Sequence, residues 1–65
     1  MPFVTVQILE SRLTEETEPE LISAVTDAVV RTFGEEIRES VWVVLEPVPA
    51  HRWGVAGKGV APRPS

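Results

Sequence analysis

Hydrophobic and polar positions alternate from the start of the chain. Over residues 3–9 (Phe-Val-Thr-Val-Gln-Ile-Leu), Phe3, Thr5, Gln7 and Leu9 fall on one side, and Val4, Val6 and Ile8 on the other. This predicts a strand with one wholly apolar face and one mixed face. Further along, the period becomes helical: Leu21, Ile22, Val25, Ala28, Val29, Thr32 and Phe33 make one apolar stripe. Pro19 belongs in the first turn of that helix, because proline lacks the N–H that an interior position needs. Thr17 as N-cap with Glu20 reaching back reads as a capping box, and Gly34 reads as the C-cap. Asp27 and Arg31 are spaced as an i, i+4 ion pair on the solvent side. Residues 41–46 (Val-Trp-Val-Val-Leu-Glu) are nearly continuously apolar, which predicts a strand covered on both faces. Beyond Glu46 the texture loosens, and residues 52–57 (Arg-Trp-Gly-Val-Ala-Gly) predict a short hairpin or edge strand.

Strand, helix and strand within 46 residues make a single β-α-β unit of the α/β class. Its strands should be parallel, its crossover right-handed, and a short C-terminal hairpin should follow. Residues 1–58 form the expected domain and residues 59–65 a flexible tail. Two strands and one helix leave an apolar sheet face and two open edges. A chain of 65 residues and 7.2 kDa cannot make up that deficit alone. Its folded surface should be about 4,000 Å² against about 10,000 Å² unfolded, a marginal ratio for one domain. Cysteine is absent and there is one histidine, so neither disulfides nor a zinc cage can compensate. The fold must be completed by oligomerisation.

Charge narrows the function. The net charge of −4 disfavours a non-specific nucleic-acid binder. All ten acids lie within residues 1–46 with three arginines, whereas residues 47–65 carry Arg52, Lys58 and Arg63 and no acid. Such a basic end suits docking on a neighbouring subunit or attraction of an anionic substrate. No basic, apolar leader opens the chain and no apolar run reaches membrane-spanning length, so a cytoplasmic protein with no membrane partner is expected.

No phosphate loop, Ser-His-Asp constellation or metal-ligand spacing is present, and no cofactor is implied. What remains is Pro2. Removal of Met1 would free a secondary amine at the start of a buried strand, with its nitrogen fixed by the ring. Desolvation and nearby cations would keep that amine neutral near pH 7, able to move a proton next to a carbonyl.

With Pro2 in that place, the chain resembles the 4-oxalocrotonate tautomerase family of the tautomerase superfamily. The likeness rests on Pro2 and its alternating strand, on Leu9-Glu10-Ser11-Arg12 where the family has Leu-Glu-Gly-Arg, and on the close. There a second strand ends in Glu46, and Arg52-Trp53-Gly54-Val55-Ala56-Gly57 stands where the family has an aromatic residue before a glycine-rich turn. The likeness covers residues 2–58. It implies a hexamer built as a trimer of dimers, with active sites shared between chains. It also implies Pro2 as the acid/base, Arg12 as the carboxylate-binding and carbonyl-polarising residue, and Trp53 as the aromatic that keeps the site apolar.

Two departures from the family accompany the likeness. Trp42 stands where the family's best-studied members carry a second arginine, which removes one carboxylate clamp and its stabilisation of an enolate-like intermediate. Trp42 then becomes a pocket or interface aromatic, Arg52 and Arg38 are the nearby cations, neither matching the motif, and Trp53, Trp42 and Arg52 are the expected substrate-binding residues. One extra residue also lies between Arg12 and the helix. The expected function is a cofactor-independent tautomerase acting on a small unsaturated keto or enol acid. The rival readings are a subunit that completes its site only in a hetero-oligomer, a proline-based hydratase or dehalogenase, and a small ligand-binding module.

Overall fold

A computed structural model describes residues 2–60. Strand β1 (Phe3–Leu9) leads through a 3₁₀ turn at Glu10–Arg12 to helix α1 (Thr17–Phe33). A second 3₁₀ segment, Glu35–Ser40, returns the chain to β2 (Trp42–Val48). A third, Ala50–Arg52, precedes a hairpin of β3 (Gly54–Val55) and β4 (Lys58–Gly59). The last five residues of the expected tail lie outside the described residues. β1 and β2 are parallel neighbours, with Phe3 opposite Trp42, Thr5 opposite Val44, Gln7 opposite Glu46 and Leu9 opposite Val48. The two-residue hairpin turn has Ala56 and Gly57 both at positive φ (54° and 81°), as an I′ turn requires.

Helix α1 covers the face of Val4, Val6 and Ile8, as the alternation predicts. Its own inward face is rotated from the predicted stripe. Val30, outside that stripe, is the one buried hydrophobic residue among those described, whereas Ile22, Ala28, Thr32 and Phe33 are exposed. The reason is width: two strands about 4.8 Å apart offer less surface than the helix's apolar face spans. The opposite sheet face carries Phe3 (66 % exposed), Trp42 (55 %) and Val44, beside a Gln7–Glu46 side-chain hydrogen bond of 3.0 Å. The accessible surface of 5305 Å² exceeds the roughly 4,100 Å² typical of a compact protein of this mass.

The start of α1 differs from the predicted capping box. Thr14, not Thr17, is the cap: its Oγ1 accepts the N–H groups of Glu16 (3.2 Å) and Thr17 (3.1 Å), and its carbonyl accepts that of Glu18 (3.0 Å). Thr17 reaches back, its Oγ1 accepting the Thr14 N–H at 2.8 Å, in the role assigned to Glu20. The box therefore lies one turn earlier, and Pro19 falls in the first turn of α1, where its missing N–H leaves the Glu15 carbonyl without a helical donor. At the other end Gly34 takes φ +111° and its N–H closes on the Val30 carbonyl at 2.7 Å, as a C-cap.

Asp27 is paired, but with Arg38 (2.9 Å) and not with Arg31. Arg38 also donates to Glu35, which holds the Glu35 carboxyl below its ordinary value of 4.5. Because the folded value is lowered, the pair's contribution is present above pH 4.5 and is lost as pH falls through the lowered value. NMR titration of the Glu35 carboxyl carbon should give a midpoint below 4.5 in the native chain. In Arg38→Ala the midpoint should return to about the ordinary glutamate value.

Candidate active site

Parallel strands put their starts at one end of the sheet and their ends at the other, and this sorts the candidate residues into two groups. At the starting end, Pro2 is half-buried and its carbonyl accepts the Trp42 N–H at 3.0 Å. The pairing of β2 with β1 thus begins at the residue expected to be catalytic. Exposed Phe3 and Trp42 stand side by side there in register. Helix α1 runs back against the strand direction, so its last residue, the exposed Phe33, finishes at this same end. Arg38, on the segment leading into β2, is held by Asp27 and Glu35 together. Its charge is compensated within the chain by those two carboxylates.

The finishing end holds the others. Arg12 closes the 3₁₀ turn directly after β1 and is exposed. It lines a cleft of about 350 Å³ with Ile8, Leu13, Thr17, Glu20 and Leu21. This is an apolar floor edged by one cation, Arg12, and one carboxylate, Glu20. Trp53 is half-buried just beyond β2, where its indole Nε1 donates to the Val48 carbonyl at 3.2 Å. That bond, together with the Val60 N–H on the Trp53 carbonyl (2.8 Å), fixes the ring against the hairpin. Trp53, Leu9, Val55 and Val60 enclose a second, almost wholly apolar pocket of about 220 Å³. Arg52, beside Trp53 in sequence, is exposed, lies 3.5 Å from the His51 imidazole, and lines neither cavity.

Pro2 and Arg12 are therefore brought to opposite ends of the sheet. Seven residues of β1 separate them by about 20 Å or more, beyond the span of an extended arginine side chain. Arg12 and Trp53 share an end but occupy separate hollows. Sequence reasoning missed Leu9, Val55 and Val60 as walls of the tryptophan pocket. The available signal was the apolar character of residues bracketing a tryptophan and a glycine turn. It also missed the threonine pair that frames the Arg12 turn.

Residues 2–63 match the family model for the tautomerase enzyme. The chain belongs to the tautomerase family. Among its relatives, Probable tautomerase RSp0893 of Ralstonia nicotianae is 47 % identical over 57 residues, covering 88 % of this chain and 79 % of that one. Probable tautomerase SAR1376 of Staphylococcus aureus is 44 % identical over 57 residues, 88 % of this chain and 90 % of that one. In structure this tautomerase is similar to YwhB, a homologue of 4-oxalocrotonate tautomerase, with a TM-score of 0.81 at 37 % identity. The match covers 91 % of this chain and 93 % of YwhB. The family and the β-α-β fold with its C-terminal hairpin agree with the sequence reading, and the tautomerase is an isomerase of the 4-oxalocrotonate tautomerase-like type. Among its described residues no helix is long and apolar enough to cross a membrane.

Proposed function

We propose that this tautomerase interconverts the keto and enol forms of a small unsaturated carboxylic acid, without a cofactor, at sites assembled from more than one chain. The amine of Pro2, freed by removal of Met1, takes a proton from one atom of the conjugated system and returns it to another. The double bonds of the conjugated system shift to match, and no other σ bond is made or broken. Arg12 of a neighbouring chain grips the carboxylate and draws electron density toward the carbonyl oxygen as the enolate-like intermediate forms. Trp53 of that neighbour keeps water out, so the amine stays neutral and the guanidinium acts at full strength.

The single observation that supports this reading is the separation of Pro2 from Arg12 and Trp53 along β1. One chain alone holds half a site at each end. The uncovered apolar face of Phe3, Trp42 and Val44 calls for further copies, and a homohexamer arranged as a trimer of dimers meets both needs. With Trp42 at the arginine position and Arg38 tied to two carboxylates, the reading rests on Arg12, the cation that lines a cleft. The substrate class that follows carries one carboxylate and an apolar remainder.

Intact mass and a substrate pair test this. The mass should lack Met1, because a retained methionine makes the proline nitrogen an amide with no basicity. The wild type should favour phenylenolpyruvate over the dicarboxylate 2-hydroxymuconate in kcat/KM. Trp42→Arg should shift that ratio toward the dicarboxylate by about tenfold or more, the value of one charge-assisted hydrogen bond. An unshifted ratio would remove Trp42 from the site, and a retained Met1 would end the proline mechanism.

A further inference from the structure

The extra residue between Arg12 and α1 sits in a segment whose side-chain hydrogen bonds all involve two threonines. We infer that Thr17 is a positioning residue for Arg12. Its hydroxyl makes three contacts: the oxygen accepts the Thr14 N–H at 2.8 Å, it lies 3.2 Å from the Thr14 hydroxyl, which can donate to it, and its own O–H then donates to the Arg12 carbonyl at 3.2 Å. Thr17 thus ties the first residue of the regular helix to the backbone of the arginine, five residues earlier. Among the described residues no other hydrogen bond joins that carbonyl to α1. The turn Glu10–Arg12 has the Leu13 N–H on the Glu10 carbonyl (3.2 Å) as its own closure, which fixes its curl but not its angle to the helix. Thr17 also lines the same cleft as Arg12, so the tie is made at the cavity wall. A longer connection costs little in closure entropy but gives the arginine more directions to point. The Thr17 bond removes that freedom, leaving the guanidinium aimed before a carboxylate arrives.

This inference rests on the reading of Arg12 as the carboxylate grip, and the variants are chosen to separate the two. Thr17→Val keeps the shape and removes these hydrogen bonds. It should raise KM for a carboxylate substrate about three- to tenfold while kcat stays within twofold, because the lost order affects binding and not proton transfer. Thr17→Ala, with better helix propensity, repeats the deletion with less strain on α1. Thr17→Ser restores the hydroxyl and should restore KM. Thr14→Val is the structural control: it deletes the cap oxygen for Glu16 and Thr17 but leaves the Thr17 hydroxyl on the Arg12 carbonyl. Its thermal midpoint should fall while KM holds.

Equal rises in KM for Thr14→Val and Thr17→Val would overturn the inference, since helix capping alone would then explain both. So would an unchanged KM in Thr17→Val and Thr17→Ala when Arg12→Ala raises it. If Arg12→Ala itself leaves KM and kcat unchanged, the carboxylate grip is wrong and the positioning role falls with it.

Discussion

Pro2→Ala should lower kcat/KM by about 10²- to 10⁴-fold, the range a positioned acid/base supplies. Alanine is also small, so Met1 is still removed and an amine remains, but it is a primary amine on a freely rotating terminus. The proline nitrogen has no such freedom, because its ring locks φ and the Pro2 carbonyl is already bonded to the Trp42 N–H at 3.0 Å. That carbonyl survives the substitution, so the start of the β1–β2 pairing is kept and a loss of activity is not a loss of fold. Circular dichroism and native mass should therefore match the wild type. Activity within threefold of wild type would reject the proline mechanism, however well the rest of the site agrees.

Mixing two inactive chains should produce an active protein. Pro2→Ala chains lack the acid/base, and Arg12→Ala chains lack the carboxylate grip, which should cost about 10²-fold or more. Each variant alone fails at every site. If a site takes Pro2 from one chain and Arg12 from another, random co-assembly after joint unfolding and refolding leaves about a quarter of sites with both residues intact. Activity should rise to about that fraction of wild type, far above either parent. The basis is a length: β1 holds its ends apart by about 20 Å, so no chain can present both residues to one small substrate. A mixture no more active than its parents would mean that each chain builds its own site, which the strand geometry forbids. It would therefore overturn the shared-site reading.

The charge environment explains why the second prediction turns on Arg12 and not on Arg38. Asp27 and Glu35 hold Arg38 on the segment before β2, and the resulting network lowers the Glu35 carboxyl and raises the Arg38 guanidinium. Asp27 and Arg31, spaced as an i, i+4 pair, suggested a different network. Spacing along a helix identifies possible partners, but a segment folding back against the helix end can supply a better one. Arg38, eleven residues from Asp27, does so. The two threonines show the same limit at shorter range. A capping box was legible at the start of α1, but the pattern of Thr17 with Glu20 displaced that of Thr14 with Thr17. The second needs only an oxygen at the third position, and Pro19, in the first turn of α1, leaves the Glu15 carbonyl without a helical donor.

By itself the sequence determined the order of elements, since alternation over Phe3–Leu9, helical spacing from Leu21 and an apolar run at Trp42 are local properties of the chain. It also determined that 65 residues without cysteine cannot close a core alone and singled out Pro2, while the family resemblance added Arg12 and Trp53 as candidate site residues. Tertiary structure alone decided where those residues stand relative to one another. Parallel pairing sends Pro2 with Trp42 to one end of the sheet and Arg12 with Trp53 to the other, a consequence of strand direction and register. Side-chain period is local and can be read from neighbours in sequence. Register is set by which faces find cover, and the face of Phe3, Trp42 and Val44 finds none among the described residues.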